Sequence, residues 1–149
     1  MIELEFLFDL TAEVGELVSL GPCPLGERRV VYITGGHFEG PAMRGRIVGG
    51  ADWQILRSDG ALELDARYAI EEESGAVVQV LSQGYRHGPP EVMARLARGE
   101  DVDPASYFFR TAMRFETGAG GLAWLNKTIA VATAGRRARR VELRAWRLL

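Results

Sequence analysis

The chain opens on an alternation of apolar and polar positions that predicts a long β-strand. Between Ile2 and Ala12 every second residue is apolar, and Glu3, Glu5 and Asp9 stand among the positions between them. A period of two residues places one set against a core and the other set towards solvent. We therefore expect a half-buried first strand whose even-numbered residues face the core.

Turn-forming stretches divide the rest of the chain into further short strands. The segments "GPCPLGERR", "SDGA" and "EESGA" contain the proline, glycine and Asp-Gly combinations that end strands and form hairpins. Runs such as "VVYITGG", "LELDARYAI" and "VVQVLSQGYR" show the strand pattern. About eight to ten such strands with regular turns predict an all-β fold, an antiparallel barrel or sandwich that spans residues 1–149 as a single domain.

One segment departs from the strand period and predicts a helix. "PPEVMARLARGE" begins with proline, places Val92, Leu96 and Ala97 at helical spacing and ends at Gly99. We expect one short helix around residues 90–98. Further on, "LAWLN" suits a single helical turn, and "KTIAVATAG" and "RVELRAWRLL" predict a final hairpin.

The two ends of the chain carry complementary charges, which predict how a barrel would close. Glu3, Glu5 and Asp9 belong to the first strand, and Arg144 and Arg147 belong to the last. Opposed charges across a strand ladder stabilise the pairing by about 0.2–1 kcal/mol per pair. We therefore expect the first and last strands to pair with each other.

The glycine-rich stretch "VYITGGHFEGPAMRGRIVGGADW" raises the question of a phosphate-binding loop. Such a loop needs its glycines between a strand and a helix, so that backbone amides converge on the anion. Here more strand follows, and no GK[ST] sequence is present. Glycines within strands more often mark bulges and tight bends. We interpret Gly35, Gly36, Gly40, Gly49 and Gly50 as bends of a closing sheet.

Composition narrows the classes of partner. The net charge is −2, so no overall basic field attracts nucleic acid, and the arginine cluster at 136–140 is interpreted as a solvated hairpin tip. Cys23 is the single cysteine, so it predicts neither an internal disulfide nor a zinc site. The sequence shows neither a signal peptide nor the run of about 20 apolar residues that a membrane span needs. The expected location is the cytoplasm, with neither membrane nor nucleic acid as partner.

Several stretches taken together resemble one known family. "ITGGHFEGP", "GGADWQ", "LELDARY", "YRHGPPEVMARLARGEDVDPASYFFRTAMRFETG" and "WLNKTIAVATAGRR" occur in this order over nearly the whole chain, and the combination resembles the domain-of-unknown-function 3237 family. The resemblance implies a single antiparallel β-barrel of calycin-like or lipocalin-like shape and supplies no reaction. On matching positions it picks out Phe38, Gly40, Asp52, Trp53, Asp65, Tyr68, Arg86, Gly88, Tyr107, Arg110, Glu116, Trp124 and Asn126.

Two histidines and a glutamate are the candidate metal ligands. His37 and Glu39 are two residues apart on one strand and share a face, so with His87 they would make a two-histidine-one-carboxylate site. His87 stands in the loop-like "YRHGPP", and nothing in the sequence brings it near His37. A solvent-facing pair and a titrating pair at a pocket rim are the alternatives. We expect no metal and, because dinucleotide, flavin and nucleophile motifs are missing, no cofactor.

Asp52 and Glu116 are the candidate proton-transferring groups, and Arg110 is the candidate holder of an anion. Asp52 follows a Gly-Gly bend beside Trp53, and a carboxylate against an aromatic wall has its pKa raised by desolvation, as a general acid or base needs. Arg110 stands among aromatic residues and suits a carboxylate or enolate on a flat ligand. The alternatives are a turn aspartate that caps backbone amides and structural ion pairs between strands.

A barrel of this size encloses either side chains alone or one small ligand, which would enter at its mouth. The expected ligand-binding residues are Trp53, Tyr68 and Tyr107 as pocket walls and, from the resemblance, Arg86, Trp124 and Asn126. We therefore expect a small-molecule-binding barrel that works as a cofactor-independent isomerase, cyclase or lyase on a small aromatic or carbonyl-bearing metabolite. The alternatives are a non-catalytic carrier or sensor, and an assembly module whose filled barrel pairs protomers into a homo-oligomer.

Overall fold

The backbone forms a closed barrel of eight antiparallel strands. The computed structural model describes every residue, Met1–Leu149. The strands are β1 (Leu4–Cys23), β2 (Gly26–Glu39), β3 (Arg44–Leu56), β4 (Leu62–Glu72), β5 (Val77–His87), β6 (Phe108–Glu116), β7 (Ile129–Arg136) and β8 (Arg140–Leu148). Each strand pairs with the next one along the chain, and β8 pairs with β1. The predicted all-β antiparallel barrel is confirmed.

Three short helical segments connect the strands. The helix α1 covers Pro90–Ala97, where a proline start and helical spacing predict it. A 3₁₀ turn follows at Pro104–Ser106, and a second 3₁₀ segment, Gly120–Lys127, contains the "LAWLN" stretch. None of these helices has the length and apolar character needed to span a bilayer.

Ion pairs accompany the closure between β1 and β8. The guanidinium of Arg144 donates from Nε to Asp9 Oδ1 at 2.7 Å and from Nη2 to Asp9 Oδ2 at 2.9 Å. Arg147 Nη2 donates to Glu5 Oε1 at 3.0 Å. The predicted pairing of the first and last strands is confirmed. These pairs are exposed, so each contributes only about 0–1 kcal/mol, and the ladder itself supplies most of the closure.

The alternation at the start of β1 breaks at Leu7, and there the sequence-based expectation is wrong. The pairing with β8 shifts register between Phe6 and Phe8. Leu7 and Phe8 are both buried, at 2% and 0% exposure, whereas Leu4 is 52% exposed. A β-bulge sets two residues against one on the partner strand and so reverses the alternation before it. Phe6 therefore lies outside, with the guanidinium carbon of Arg144 5.3 Å from its ring centre.

Two glycines show how the strands bend. Gly36 has a φ of +128° and Gly49 a φ of +142°, values that residues with side chains rarely adopt. Gly49 coincides with a register shift between β3 and β4, and a Cβ at Gly36 would overlap the carbonyl oxygen of Thr11 on β1. At these positions the glycines allow strands to curve and to approach closely, as we interpreted them from the sequence.

The two ends of the barrel interior are packed differently. At one end the ring of Phe8 lies edge-on to Phe38 and Phe115, with centroids 5.6 and 6.3 Å apart. Leu122 and Leu125 of the second 3₁₀ segment are buried in the same core. At the other end, beside α1, several inward-facing positions carry alanine, arginine or glutamine, and a cavity remains. The first end is filled, and the second carries the candidate site.

Phe8→Ala is expected to lower the free energy of unfolding by about 3–5 kcal/mol, because it empties a fully buried ring position that the structure has little freedom to fill. Phe108→Ala, at a position that is 40% exposed, is the matched control and should lower it by about 1 kcal/mol or less. Equilibrium denaturation in urea measures both values. Equal effects would contradict the packing of the filled end.

Candidate functional site

A chamber opens at the end of the barrel beside α1 and narrows into the interior. It has a volume of about 450 Å³, and Leu17, Met93 and Leu96 form part of its wall. Below it an inner cavity of about 60 Å³ lies among strand side chains. Four residues line both spaces: Val31, Gln54, Arg86 and Arg136. The chamber and the inner cavity therefore form one funnel, and its upper part has the size of a small-molecule pocket.

Asp52 and Gln54, two residues apart on β3, both face the inner cavity. Gln54 Nε2 donates to Asp52 Oδ2 at 2.9 Å, and the backbone N–H of Asp65 on β4 donates to Asp52 Oδ1 at 3.0 Å. The pairing of β3 with β4 is interrupted here, between the positions of Asp52 and Ile55. The carboxylate thus sits at a gap in the sheet, oriented by two donors.

Burial raises the pKa of Asp52 above its ordinary value of 3.8. Desolvation is the largest cause, and it outweighs the hydrogen bonds from Gln54 and the Asp65 amide and the attraction of Arg86. A carboxyl group with a raised pKa exchanges a proton closer to neutral pH, as a general acid or base must. Asp52 is therefore the group in the inner cavity best suited to proton transfer.

Two buried polar atoms have no hydrogen-bond partner: the hydroxyl of Tyr68 and Nε of Arg86. Both side chains line the inner cavity together with Asp52. Buried polar atoms are nearly always paired, because an unpaired one is destabilising. Burial, followed by the charge of Asp52, also raises the pKa of Tyr68, so its phenol keeps its proton. Two free donors beside a carboxylate favour a bound molecule that carries acceptor atoms.

Three arginines bring positive charge to the funnel. Arg86 and Arg136 line both spaces, while Arg29 lines the chamber and donates to Gln54 Oε1 from Nε at 3.3 Å and from Nη2 at 3.0 Å. Desolvation lowers the pKa of all three, and it brings the pKa of Arg86 to about 10. Repulsion between the arginines adds to the effect at Arg86 and Arg136. None of the three forms an ion pair with a carboxylate.

Three residues predicted for the site lie on the outside of the barrel instead. Trp53 follows Asp52 on β3, so it points to the opposite face, where it is 43% exposed. Arg110 and Glu116 are exposed on β6, and the guanidinium carbon of Arg110 lies 5.5 Å from the ring centre of Phe108. The structure therefore brings neither the expected anion holder Arg110 nor the expected proton-transferring Glu116 to the funnel, because alternation along β6 turns both side chains outwards.

Tyr107, Trp124 and Asn126 also lie outside the lining of the funnel. Tyr107 is buried, and its hydroxyl accepts a hydrogen bond from the backbone N–H of Arg136 at 2.8 Å. Trp124 packs against the core from the second 3₁₀ segment. Asn126 bonds to both the N–H and the C=O of Thr117 and so ties that segment to the end of β6. Tyr107 therefore holds the backbone of Arg136, a lining residue of the funnel, while Trp124 and Asn126 belong to the filled end.

The two histidines lie at different ends of the barrel. His37 is opposite Arg46 of β3, near the filled end of the barrel. His87 lies at the chamber end of β5 and stacks on Phe108, with ring centroids 4.7 Å apart. The two-histidine-one-carboxylate arrangement considered from the sequence is therefore not assembled.

Sequence reasoning overlooks Arg29 and Gln54 and wrongly assigns Arg136 to a solvated hairpin tip, whereas Arg136 ends β7 and lines both spaces. The alternation contains a signal for each of the three. Arg29 continues the face of Val31 on β2, Gln54 continues that of Asp52, and Arg136 continues that of the buried alanines of β7. A polar residue that extends an inward-facing set faces the interior just as its apolar neighbours do. The signal was present in each strand, but only closure brings the three strands together.

Comparison with known proteins identifies the family. The family model described as "Protein of unknown function (DUF3237)" matches residues 2–148. The chain belongs to the DUF3237 family. A UPF0311 protein of Rhodopseudomonas palustris is 41% identical over 149 residues, which cover 99% of this chain and 97% of the relative. The resemblance inferred from the sequence stretches is confirmed.

Solved structures from other organisms have a similar fold. A conserved protein of unknown function from Rhodopseudomonas palustris matches with a TM-score of 0.94 at 41% identity, covering 100% of this chain and 98% of the other. A beta-barrel like protein from Acinetobacter baumannii matches with a TM-score of 0.87 at 41% identity, covering 100% and 97%. A protein described as an enzyme, from Penicillium herquei, matches with a TM-score of 0.76, covering 99% and 95%. Its identity is 22%, so this last likeness shows the fold alone.

Asp52→Asn is expected to raise the melting temperature at pH 7. A carboxyl group whose pKa is raised by folding contributes stability below its unfolded pKa and loses it as the pH rises through the folded pKa. The amide keeps the shape of the side chain and avoids that loss. The difference from the wild type should shrink as the pH falls towards 3.8. Calorimetry across this range tests it, with Glu116→Gln on the outer face of β6 as control, and a lower melting temperature at pH 7 would contradict it.

Arg86→Met is expected to increase the free energy of unfolding by about 1–3 kcal/mol, because it removes a buried charge without an ion-pair partner and keeps the length of the side chain. Arg67→Met is the matched control, since Arg67 is exposed on β4, and it should change the value by about 0.5 kcal/mol or less. Urea denaturation measures both. Destabilisation by Arg86→Met would show that the guanidinium is satisfied in the folded protein.

Proposed function

We propose that this protein binds a small organic molecule in the funnel and that Asp52 transfers a proton to or from it. The observation that carries the proposal is the convergence of three groups on the inner cavity. The Asp52 carboxyl has a raised pKa, and the Tyr68 hydroxyl and Arg86 Nε are buried donors without partners. This set is suited to a substrate whose oxygen gains negative charge while a nearby atom gains or loses a proton.

The sizes of the two spaces suit different parts of a ligand. The inner cavity, about 60 Å³, has room for a reacting group of a few atoms, whereas the chamber of about 450 Å³ holds the body of a compact metabolite. Ser82 and Thr111 also line the inner cavity, where the Ser82 hydroxyl donates to Thr111 Oγ1 at 2.9 Å and the Thr111 hydroxyl keeps a proton of its own to donate. We place the reacting oxygen at Tyr68 and Arg86, because the Tyr68 hydroxyl and Arg86 Nε have no hydrogen-bond partner at all.

The reaction class follows from the groups that are present. A carboxyl base, a phenol donor and a guanidinium together supply proton transfer and stabilisation of an enolate or alkoxide, and this chemistry requires no cofactor. An isomerisation, a cyclisation or an elimination that begins with such a proton transfer fits the site. The same barrel also occurs in the Penicillium herquei protein described as an enzyme, so the fold is compatible with catalysis.

Asp52→Asn is expected to reduce turnover by about a hundredfold or more, since general acid–base catalysis contributes on that scale. Native mass spectrometry of freshly purified protein first identifies a retained small molecule, which then serves as the substrate or product in the assay. Tyr68→Phe, which removes one hydroxyl, should lower turnover as well. Glu116→Gln is the matched control, because its carboxylate is exposed on the outer face of β6.

The outcomes separate an enzyme from a carrier. Normal turnover by both Asp52→Asn and Tyr68→Phe would show that another group performs the chemistry. Retention of a small molecule by all variants, with no conversion of it by the wild type, would support the carrier alternative. An empty chamber and a ligand-free mass, in the wild type and in every variant, would favour the assembly alternative.

A further inference from the structure

The funnel contains more positive charge than its own residues neutralise. Its lining includes four arginines, and one of them, Arg137, lies 3.8 Å from Glu142 and 4.0 Å from Asp101. Glu100 in the chamber wall is already bonded to Arg95 and Arg98. The groups without an ion-pair partner are Arg29, Arg86, Arg136 and Asp52. Three positive charges against one negative charge leave +2, and protonation of Asp52 leaves +3.

Such an arrangement is unfavourable for the protein by itself. Charges withdrawn from water are normally paired or hydrogen-bonded, and like charges in the same space repel. Arg29 is partly satisfied by Gln54, but Arg86 has a buried Nε without a partner and Arg136 makes no side-chain hydrogen bond. An anion between these guanidiniums would reduce the repulsion between them and would accept the hydrogen bond that Arg86 Nε lacks.

We infer that the ligand of the funnel is an organic oxyanion, of carboxylate or phosphate type, held by Arg86 and Arg136 with Arg29 at the rim. The inference rests on the proposed function and adds the chemical class of its ligand. Guanidinium groups bind such oxyanions through two parallel hydrogen bonds, which the free Nε of Arg86 and its neighbouring nitrogens supply.

The position of the arginines also orients the ligand. Arg86 lines the inner cavity together with Asp52, so the acid group lies close to the atom that exchanges a proton. The rest of the molecule occupies the chamber, where Leu17, Met93 and Leu96 present apolar surface. The ligand is therefore a compact organic acid with an apolar or aromatic body.

Matched probes test the charge requirement directly. Benzoate, phenyl phosphate and benzamide share one ring and differ in the charge of the substituent. At low ionic strength, isothermal titration should show that benzoate or phenyl phosphate binds at least about tenfold more tightly than neutral benzamide, as a hydrogen-bonded charge pair implies. The stronger of the two anions identifies the carboxylate or the phosphate type.

Variants locate the site of binding. Arg86→Met and, separately, Arg136→Met should lower the affinity for the preferred anion by about tenfold or more. Arg67→Met should leave that affinity unchanged. Asp52→Asn should bind the anion at least as tightly as the wild type does, because it removes the negative charge in the inner cavity. The melting temperature with and without each probe gives an independent readout, since a ligand of the folded state raises it.

Equal binding of benzamide and both anions would overturn the inference, as would full affinity in both arginine variants. Failure of both anions to raise the melting temperature of the wild type more than that of Arg86→Met would overturn it as well. These results differ from failure of the proposed function, which appears as normal turnover in Asp52→Asn while anion binding still depends on Arg86.

Discussion

Closure of eight strands forces every second side chain into one shared interior, and the rest of the structure depends on this constraint. The interior is just wide enough to be filled by side chains, so the size of each inward-facing residue decides whether space remains. At one end Phe8, Phe38 and Phe115 fill it with three rings in edge-to-face contact. At the other end small and polar residues face inwards, and α1 borders the opening instead of sealing it. The funnel is a consequence of side-chain volume along the same strands.

The charges in the funnel oppose the stability that the filled end supplies. A cluster of partly buried arginines and a carboxyl group with a raised pKa are unfavourable without a ligand, and an apolar interior would be more stable. Groups of this kind are characteristic of functional sites, where stability is lower than the fold allows. The hydrogen bonds from Arg29 to Gln54 and from Gln54 to Asp52 hold the carboxylate in one orientation despite this electrostatic cost.

Family and fold leave the chemistry open, because one barrel architecture supports many unrelated activities. The features that bear on function are instead local: which side chains face the inner cavity, which of them lack partners, and how burial changes their protonation. Asp52, Tyr68 and Arg86 all face the inner cavity and have their pKa shifted by burial, and Tyr68 and Arg86 also lack hydrogen-bond partners. Arg110 and Glu116 do not, although their residue types suit the same chemistry, since both lie in solvent on the outer face of β6.

The sequence by itself determined the strands, the helix at 90–98, the pairing of the first strand with the last and the presence of Asp52, Tyr68 and Arg86 among the candidates. These follow from alternation, turn residues and helix signals. Such signals depend on a few neighbouring residues, so they can be recognised in the sequence alone. The tertiary structure alone decided the bulge at Leu7 and the meeting of Arg29 with residues of β3, β5 and β7. A bulge depends on the partner strand, and strands distant in the chain share an interior only once the barrel has closed.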